Sequence, residues 1–175
     1  MCVEKLYSNI VGTPVKLHGE TSPIATVRDL IVDPETGKVV ALVVNKRTNK
    51  IIVPHDIVEW GDILHVHNHD AIIDADEVLR VEEIMKRNAH HIFQNKVVSV
   101  DNENLGIVTD YAVDARALKL KKLFVSKVFL GLIRLGSRII DEKNIIEILP
   151  DRIVVKNFQE VKEDKAVKAE DLAVG

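Results

Sequence analysis

Apolar residues along this chain either alternate with polar ones or run consecutively over short stretches, and both patterns belong to β-strands. They are densest in Asp29-Leu-Ile-Val-Asp33 and Lys38-Val-Val-Ala-Leu-Val-Val-Asn45, two arms rich in β-branched residues, as strands covered on both sides should be. Between them Pro34-Glu-Thr-Gly37 predicts a hairpin turn, because Pro34 holds φ near the value of the first corner and Gly37 supplies a positive φ at no steric cost. Around this hairpin, Val15 and Leu17 alternate with Lys16 and His18, and Ile51 to Val53, Ile57 to Trp60 and Ile63 to His67 read as further strands. Polar turns at 19–22, 45–50, 54–56 and 61–62 separate them. Short strands at this spacing predict a small closed sheet.

The hairpin recurs. Asp29, Val32, Asp33, Leu42, Val44 and Lys46 match Asp110, Val113, Asp114, Leu123, Val125 and Lys127 without a gap, all at the spacing 110 − 29 = 81. Further on, Asn144-Ile-Ile-Glu147 repeats Asp56-Ile-Val-Glu59. Such self-similarity predicts a duplicated domain. The second copy differs in two ways. Its turn, Ala115-Arg-Ala-Leu118, has neither Pro nor Gly and must bend with less help from local chemistry. It also carries an extra segment, Ser126 to Arg138, read as a loop insertion of the kind that often carries function.

Between the copies the apolar period lengthens to that of a helix. Asp74 is a candidate N-cap with Glu77 three residues on, and Val78, Val81, Ile84 and Met85 share one face, which predicts a helix from about Ala75 to Arg87 packing its stripe on one or both copies. The expected organisation is therefore mainly all-β: a first barrel at 6–73, a linker helix at 74–88, a second barrel at 89–158, and a charged tail at 159–175 with too few apolar residues for a core, expected to be flexible or a frayed helix.

Composition narrows the classes. A net charge of −3 leaves no global signature of polyanion binding, so any such role must be local. Cys2 is the single cysteine, which excludes an internal disulfide and a disulfide-stapled secreted fold. The N-terminus shows neither a basic region nor an apolar run, and no stretch approaches a transmembrane span, so a soluble cytoplasmic protein is expected.

Gly12-Thr-Pro-Val15, Asp29-Leu-Ile-Val-Asp33, the Pro34-Glu-Thr-Gly-Lys38 turn, Val39-Val-Ala-Leu-Val-Val44 and Ile52-Val-Pro-His-Asp-Ile-Val-Glu-Trp-Gly-Asp62 together resemble the PRC-barrel family. The resemblance covers Asn9 to His67 closely and Asn95 to Lys156 more weakly. It implies two tandem small β-barrels of a fold found in the cytoplasmic domain of the photosynthetic reaction-centre H subunit and at the C-terminus of a ribosome maturation factor. In both, the barrel serves as a docking module without catalysis.

Candidate chemistry is sparse. His65, His67 and His69 alternate and would share a strand face at a spacing compatible with a transition metal, but Asn68-His-Asp70 reads as a turn that breaks the alternation, so no metal site is assigned. Asp29, Asp33, Asp110 and Asp114 recur without a base or nucleophile at matching positions, so no catalytic residue, cofactor or small-molecule substrate is expected. The informative stretch is 115–140, which holds no acidic residue while Arg116, Lys119, Lys121, Lys122, Lys127, Arg134 and Arg138 are basic. Within it Lys127, Phe129, Leu130, Ile133, Arg134 and Arg138 form the candidate contact surface, with apolar residues as anchor and cations for acidic groups. The expected role is a non-enzymatic interaction or scaffold protein whose partner is another protein. RNA or the ribosome is the alternative and a membrane surface the third.

Overall fold

A computed structural model of the chain describes residues 4–88, 91–129 and 133–157. The chain is mainly β, as its apolar alternation predicts. In the first half, β1 (Glu4–Leu6) leads into one helical turn, α1 (Tyr7–Ile10), followed by β2 (Pro14–Leu17), β3 (Pro23–Thr26), β4 (Asp29–Val32), β5 (Val39–Asn45), β6 (Lys50–Ile52), β7 (Ile57–Trp60), β8 (Leu64–Val66) and β9 (Ile73–Asp74). A 3₁₀ turn at Ala75–Glu77 and helix α2 (Leu79–Lys86) lead to the second half, which holds β10 (Lys96–Ser99), β11 (Asn104–Asp114), β12 (Lys119–Phe129), β13 (Ile133–Asp141), β14 (Ile145–Ile148) and β15 (Arg152–Val155). The expected helix over 75–87 is thus a 3₁₀ turn and a shorter α-helix, with Asp74 and Glu77 forming a capping box at the start of the 3₁₀ turn.

The strands form three open sheets and not one closed ladder per half. β3-β2-β8-β7 and β4-β5-β6-β9 make up the first half, and β13-β12-β11-β10-β15-β14 the second. The two central hairpins have the same register. Asp29, Leu30, Ile31 and Val32 face Val43, Leu42, Ala41 and Val39, while Asp110, Tyr111, Ala112 and Val113 face Phe124, Leu123, Lys122 and Leu120. Every pair is displaced by 81, and a bulge falls between Ile31 and Val32 just as between Ala112 and Val113. Both turns share their geometry too. Asp33 Oδ1 accepts the Glu35 N–H at 2.9 Å, and Asp114 Oδ1 accepts the Arg116 and Ala117 N–H groups at 2.8 and 3.0 Å. Gly37 has φ of +69°, and Leu118 takes the same left-handed position at +50°. The second turn keeps its shape without glycine by accepting a conformation that costs a side chain about 1 kcal/mol.

The halves meet over a shared interior. One apolar cluster runs from Ile10, Val15, Leu30 and Leu42 through Tyr111, Leu123 and Ile153, joining residues of both. β1 leaves the first half to pair antiparallel with β11, setting Leu6 opposite Ala112. The two hairpins bridge at Lys38 and Lys119, where Val39 N–H donates to the Leu118 carbonyl at 2.7 Å and Leu120 N–H to the Gly37 carbonyl at 2.8 Å. A second cluster backs the first half alone: Val81 and Ile84 of α2 are fully buried against Ile31, Ala41, Val43 and Ile51. Each such side chain stabilises by about 2 kcal/mol.

Gly106 of β11 faces a neighbouring backbone that leaves no room for a side chain. Its φ is +126°, and a Cβ there would overlap the Ser126 carbonyl oxygen and lie 2.9 Å from Lys127 N. Gly106→Ala is expected to destabilise the fold by about 3 kcal/mol or more. Gly37→Ala, whose Cβ would sit in ordinary contact 3.7 Å from Lys119 Cε, should cost about 1 kcal/mol. Urea midpoints of the two variants test this ordering.

Candidate interaction surface

The stretch read as an inserted loop is a strand pair. β12 and β13 continue as an antiparallel ladder with Val125 opposite Arg138, Lys127 opposite Leu135, Val128 opposite Arg134 and Phe129 opposite Ile133. The correction has a plain cause: 126–138 keeps the β-branched and aromatic content of the strands it extends, and no turn-forming residue interrupts β12 before Gly131. On its other edge β12 pairs with β11 only as far as Ser126, opposite Ile107. Beyond that point β12 and β13 form a two-stranded ribbon. Lys127 and Arg138 are exposed; Phe129, Ile133 and Arg134 take their backbone places in the ribbon, and Leu130 lies outside the described residues, as does the tail from 158.

Five basic charges of β12 and β13 fall into two groups. Lys122 pairs with Glu4 at 2.8 Å, and Lys119 and Lys121 share Glu142 at 3.4 and 3.9 Å, so these three lysines tie β12 to neighbouring elements. Lys127 and Arg138 have no ion pair among the described residues; Lys127 lies just beyond the β11 pairing, and Arg138 lies opposite Val125 near its end. The acid-free stretch is therefore structural near its base and carries exposed cations at Lys127 and Arg138.

The recurring aspartates also divide by role. Asp33 and Asp114 are turn residues, as above. Asp29 and Asp110 instead hold α1: Tyr7 Oη donates to Asp29 Oδ1 at 2.9 Å, while Ser8 N–H and Oγ donate to Asp110 at 3.1 and 2.6 Å. Lys46 adds an ion pair to Asp29. Tyr7 stacks on Tyr111 with ring centroids 4.7 Å apart and tilts against Phe93 at 5.2 Å. Burial, with the Asp29 carboxylate beside it, pushes the Tyr7 phenol well above its ordinary value, and burial does the same to Tyr111, so both remain neutral. Tyr7 and Ser8 escaped the sequence reading because their partners lie far along the chain.

Arg80 of α2 was likewise missed. Its Nε and Nη2 donate to the two oxygens of buried Asp33 at 2.9 and 2.8 Å, and Nη2 also meets Glu35 at 3.0 Å. The guanidinium holds the Asp33 carboxyl below its ordinary range. The helix is pinned to the hairpin turn by this fork, a geometry favoured by Arg and carboxylate together.

The histidines do not converge. His65 lies on β8 with Nδ1 3.8 Å from a Glu59 oxygen and its ring edge-on to His18 at 6.2 Å. His67 follows the strand, and His69 opens a 3₁₀ turn where the Asn68 side chain accepts the Asp70 N–H. The turn residues break the alternation. Among the described residues no group of three potential metal ligands gathers, and no helix is long and apolar enough to cross a membrane. An open cleft of about 660 Å³ lies between β1, the Gly12–Pro14 segment and the β7–β8 turn. Two of its charged lining residues are engaged in structure: Lys5 Nζ donates to the Gly61 carbonyl at 2.8 Å, and Glu4 pairs with Lys122.

The hairpin around Asp29 and Val43, its Pro-Gly turn and the strands folded round it define a small β-domain. The family model of the PRC-barrel domain matches residues 3–80, the first half of the fold described above. No curated protein matches the chain.

Two measurements probe the pins. Tyr7→Phe keeps the ring stack and loses the bond to Asp29, which should cost about 1 kcal/mol in a denaturant titration. Because the folded-state pKa of Asp33 is lowered, its contribution is present above the ordinary carboxylate pKa and disappears as pH falls through the folded value. Arg80→Gln is therefore expected to lower the thermal midpoint at pH 7, with the gap to wild type narrowing below about pH 4. A gap that stays constant with pH would remove the ion pair as its cause.

Proposed function

We propose that the chain is a tandem pair of PRC-type barrels, joined through α2, that acts without catalysis as a cytoplasmic interaction or scaffold protein, with the outer β12–β13 hairpin as its contact element. One observation carries the reading: past Ser126 the ladder runs on as a ribbon of two strands with no third neighbour among the described residues. An isolated two-stranded ribbon is marginal in water, so apolar positions there are best accounted for by a surface that covers them. Phe129, Leu130 and Ile133 would supply the apolar anchor, and Lys127, Arg134 and Arg138 would meet acidic groups at its rim. The pairing of β12 with β11 and of Lys119 and Lys121 with Glu142 holds the base of the hairpin to the body.

The acid-free stretch also suits RNA phosphates or anionic headgroups, and the test separates these partners. Wild-type protein and a Phe129→Ala, Arg134→Ala, Arg138→Ala variant are used to recover partners from native lysate, with and without nuclease and across a salt series. The docking reading expects a protein partner that survives nuclease and is lost, at least about tenfold, in the variant. Recovery that vanishes with nuclease and falls steeply with salt would move RNA to first place. Co-flotation with anionic vesicles would favour a membrane surface. Equal recovery by wild type and variant would overturn the hairpin as the site.

A further inference from the structure

A groove of about 380 Å³ lies where the first hairpin turn, Pro34 to Gly37, faces the 3₁₀ turn Glu142–Asn144 and strand β14 of the other half. Gly37, Leu120, Ile146 and Ile148 are among its walls, and Ile146 is 52 % exposed there. The internal repeat shows why it is open. The position of Gly37 is taken in the other turn by Leu118, 81 residues on, and that of Ile148 in β14 is taken in β7 by Trp60, 88 residues earlier. Leu118 and Trp60 both pack on the shared core, whereas the smaller pair of glycine and isoleucine leaves room for an aliphatic side chain.

Among the side chains described, the most exposed large apolar one is Leu79, the first residue of α2, at 70 %. It stands close to the groove, because the next residue, Arg80, forks onto Asp33 and reaches Glu35 in the turn that forms one wall. An apolar knob and an apolar groove thus flank a single turn. Exposed charges of opposite sign bracket the knob along the chain, Asp76 before it and Arg87 about two helical turns after it. The groove carries the reverse order, with Lys143 before Ile146 and Glu147 after it. Asp76, Lys143 and Glu147 are exposed and enter no ion pair among the described residues, and Arg87 holds Glu35 only at 3.7 Å.

We infer that this face joins two copies of the chain about a two-fold axis, each Leu79 seated in the groove beside Gly37 of the other copy, with Asp76 toward Lys143 and Arg87 toward Glu147 across the interface. A two-fold interface is self-complementary, so one face has to carry both knob and groove, and every contact is made twice. The reversed order of charges selects this pairing over alignments that set like charges together.

Sedimentation equilibrium of the full chain over a concentration series tests the inference. Wild type is expected to dimerise reversibly, and Leu79→Asp, at an exposed site, to weaken the dimer at least about tenfold with an unchanged circular dichroism spectrum. Gly37→Leu fills the groove with the residue that the other turn already holds at a positive φ, and should weaken the dimer in the same way. Lys143→Asp should weaken association and Asp76→Lys in the same chain should restore it, a rescue that a purely structural role would not give. A chain that is monomeric at every concentration would overturn the inference. So would a dimer indifferent to Leu79→Asp and Gly37→Leu, which would place the contact on another face.

Discussion

Two backbone hydrogen bonds organise this molecule, from Val39 N–H to the Leu118 carbonyl and from Leu120 N–H to that of Gly37. Each partner is the other's counterpart at a spacing of 81, so the pair is reciprocal and sits where a two-fold relation between the hairpins would place it. It requires both turns to present the same face at the same height, and the other features follow. The bulges coincide, Asp33 and Asp114 bind the turn amides, and Leu118 is held at a positive φ that its side chain does not favour. With the hairpins so fixed, Tyr111 comes under Tyr7, and one apolar cluster closes across both halves.

What could be read along the chain was whatever rests on local chemistry. The strands of both hairpins, the turn at Pro34 to Gly37 and the capping residues Asp74 and Glu77 announce themselves by spacing and residue type. The turn at Ala115 to Leu118 announces itself less, because it has neither Pro nor Gly and is held by Asp114 Oδ1 together with the Leu120–Gly37 hydrogen bond from the other half of the chain. The same reason hid β1. Nothing in Glu4-Lys-Leu6 marks it as a strand of the second half, and its partners lie more than a hundred residues away at Ala112 to Asp114. Arg80, Tyr7 and Ser8 are unremarkable as letters and acquire roles only through carboxylates from other elements.

The candidate surface was legible in composition and misread in form. A run without acidic residues containing Phe129, Leu130 and Ile133 drew attention to 126–138, and its length suggested an insertion lying outside the sheet. The ladder shows an extension of two existing strands, with Lys119, Lys121 and Lys122 serving the body of the protein and Lys127 and Arg138 left exposed. Counting charges along the chain could not make that division, because it depends on where Glu4 and Glu142 lie in space.

The reciprocal bridge at Lys38 and Lys119 has the form of a contact between two equal bodies, but both bodies belong to one chain. Tethering makes the contact independent of protein concentration. It also frees each side to change alone. Two identical chains meeting in this way would have to accept every substitution twice, so a leucine at the position of Gly37 would strain both turns and a lengthened hairpin would project from both ends. Within a single chain, glycine can relax one turn while leucine packs at the other, and one half can grow an arm while its neighbour keeps a compact edge.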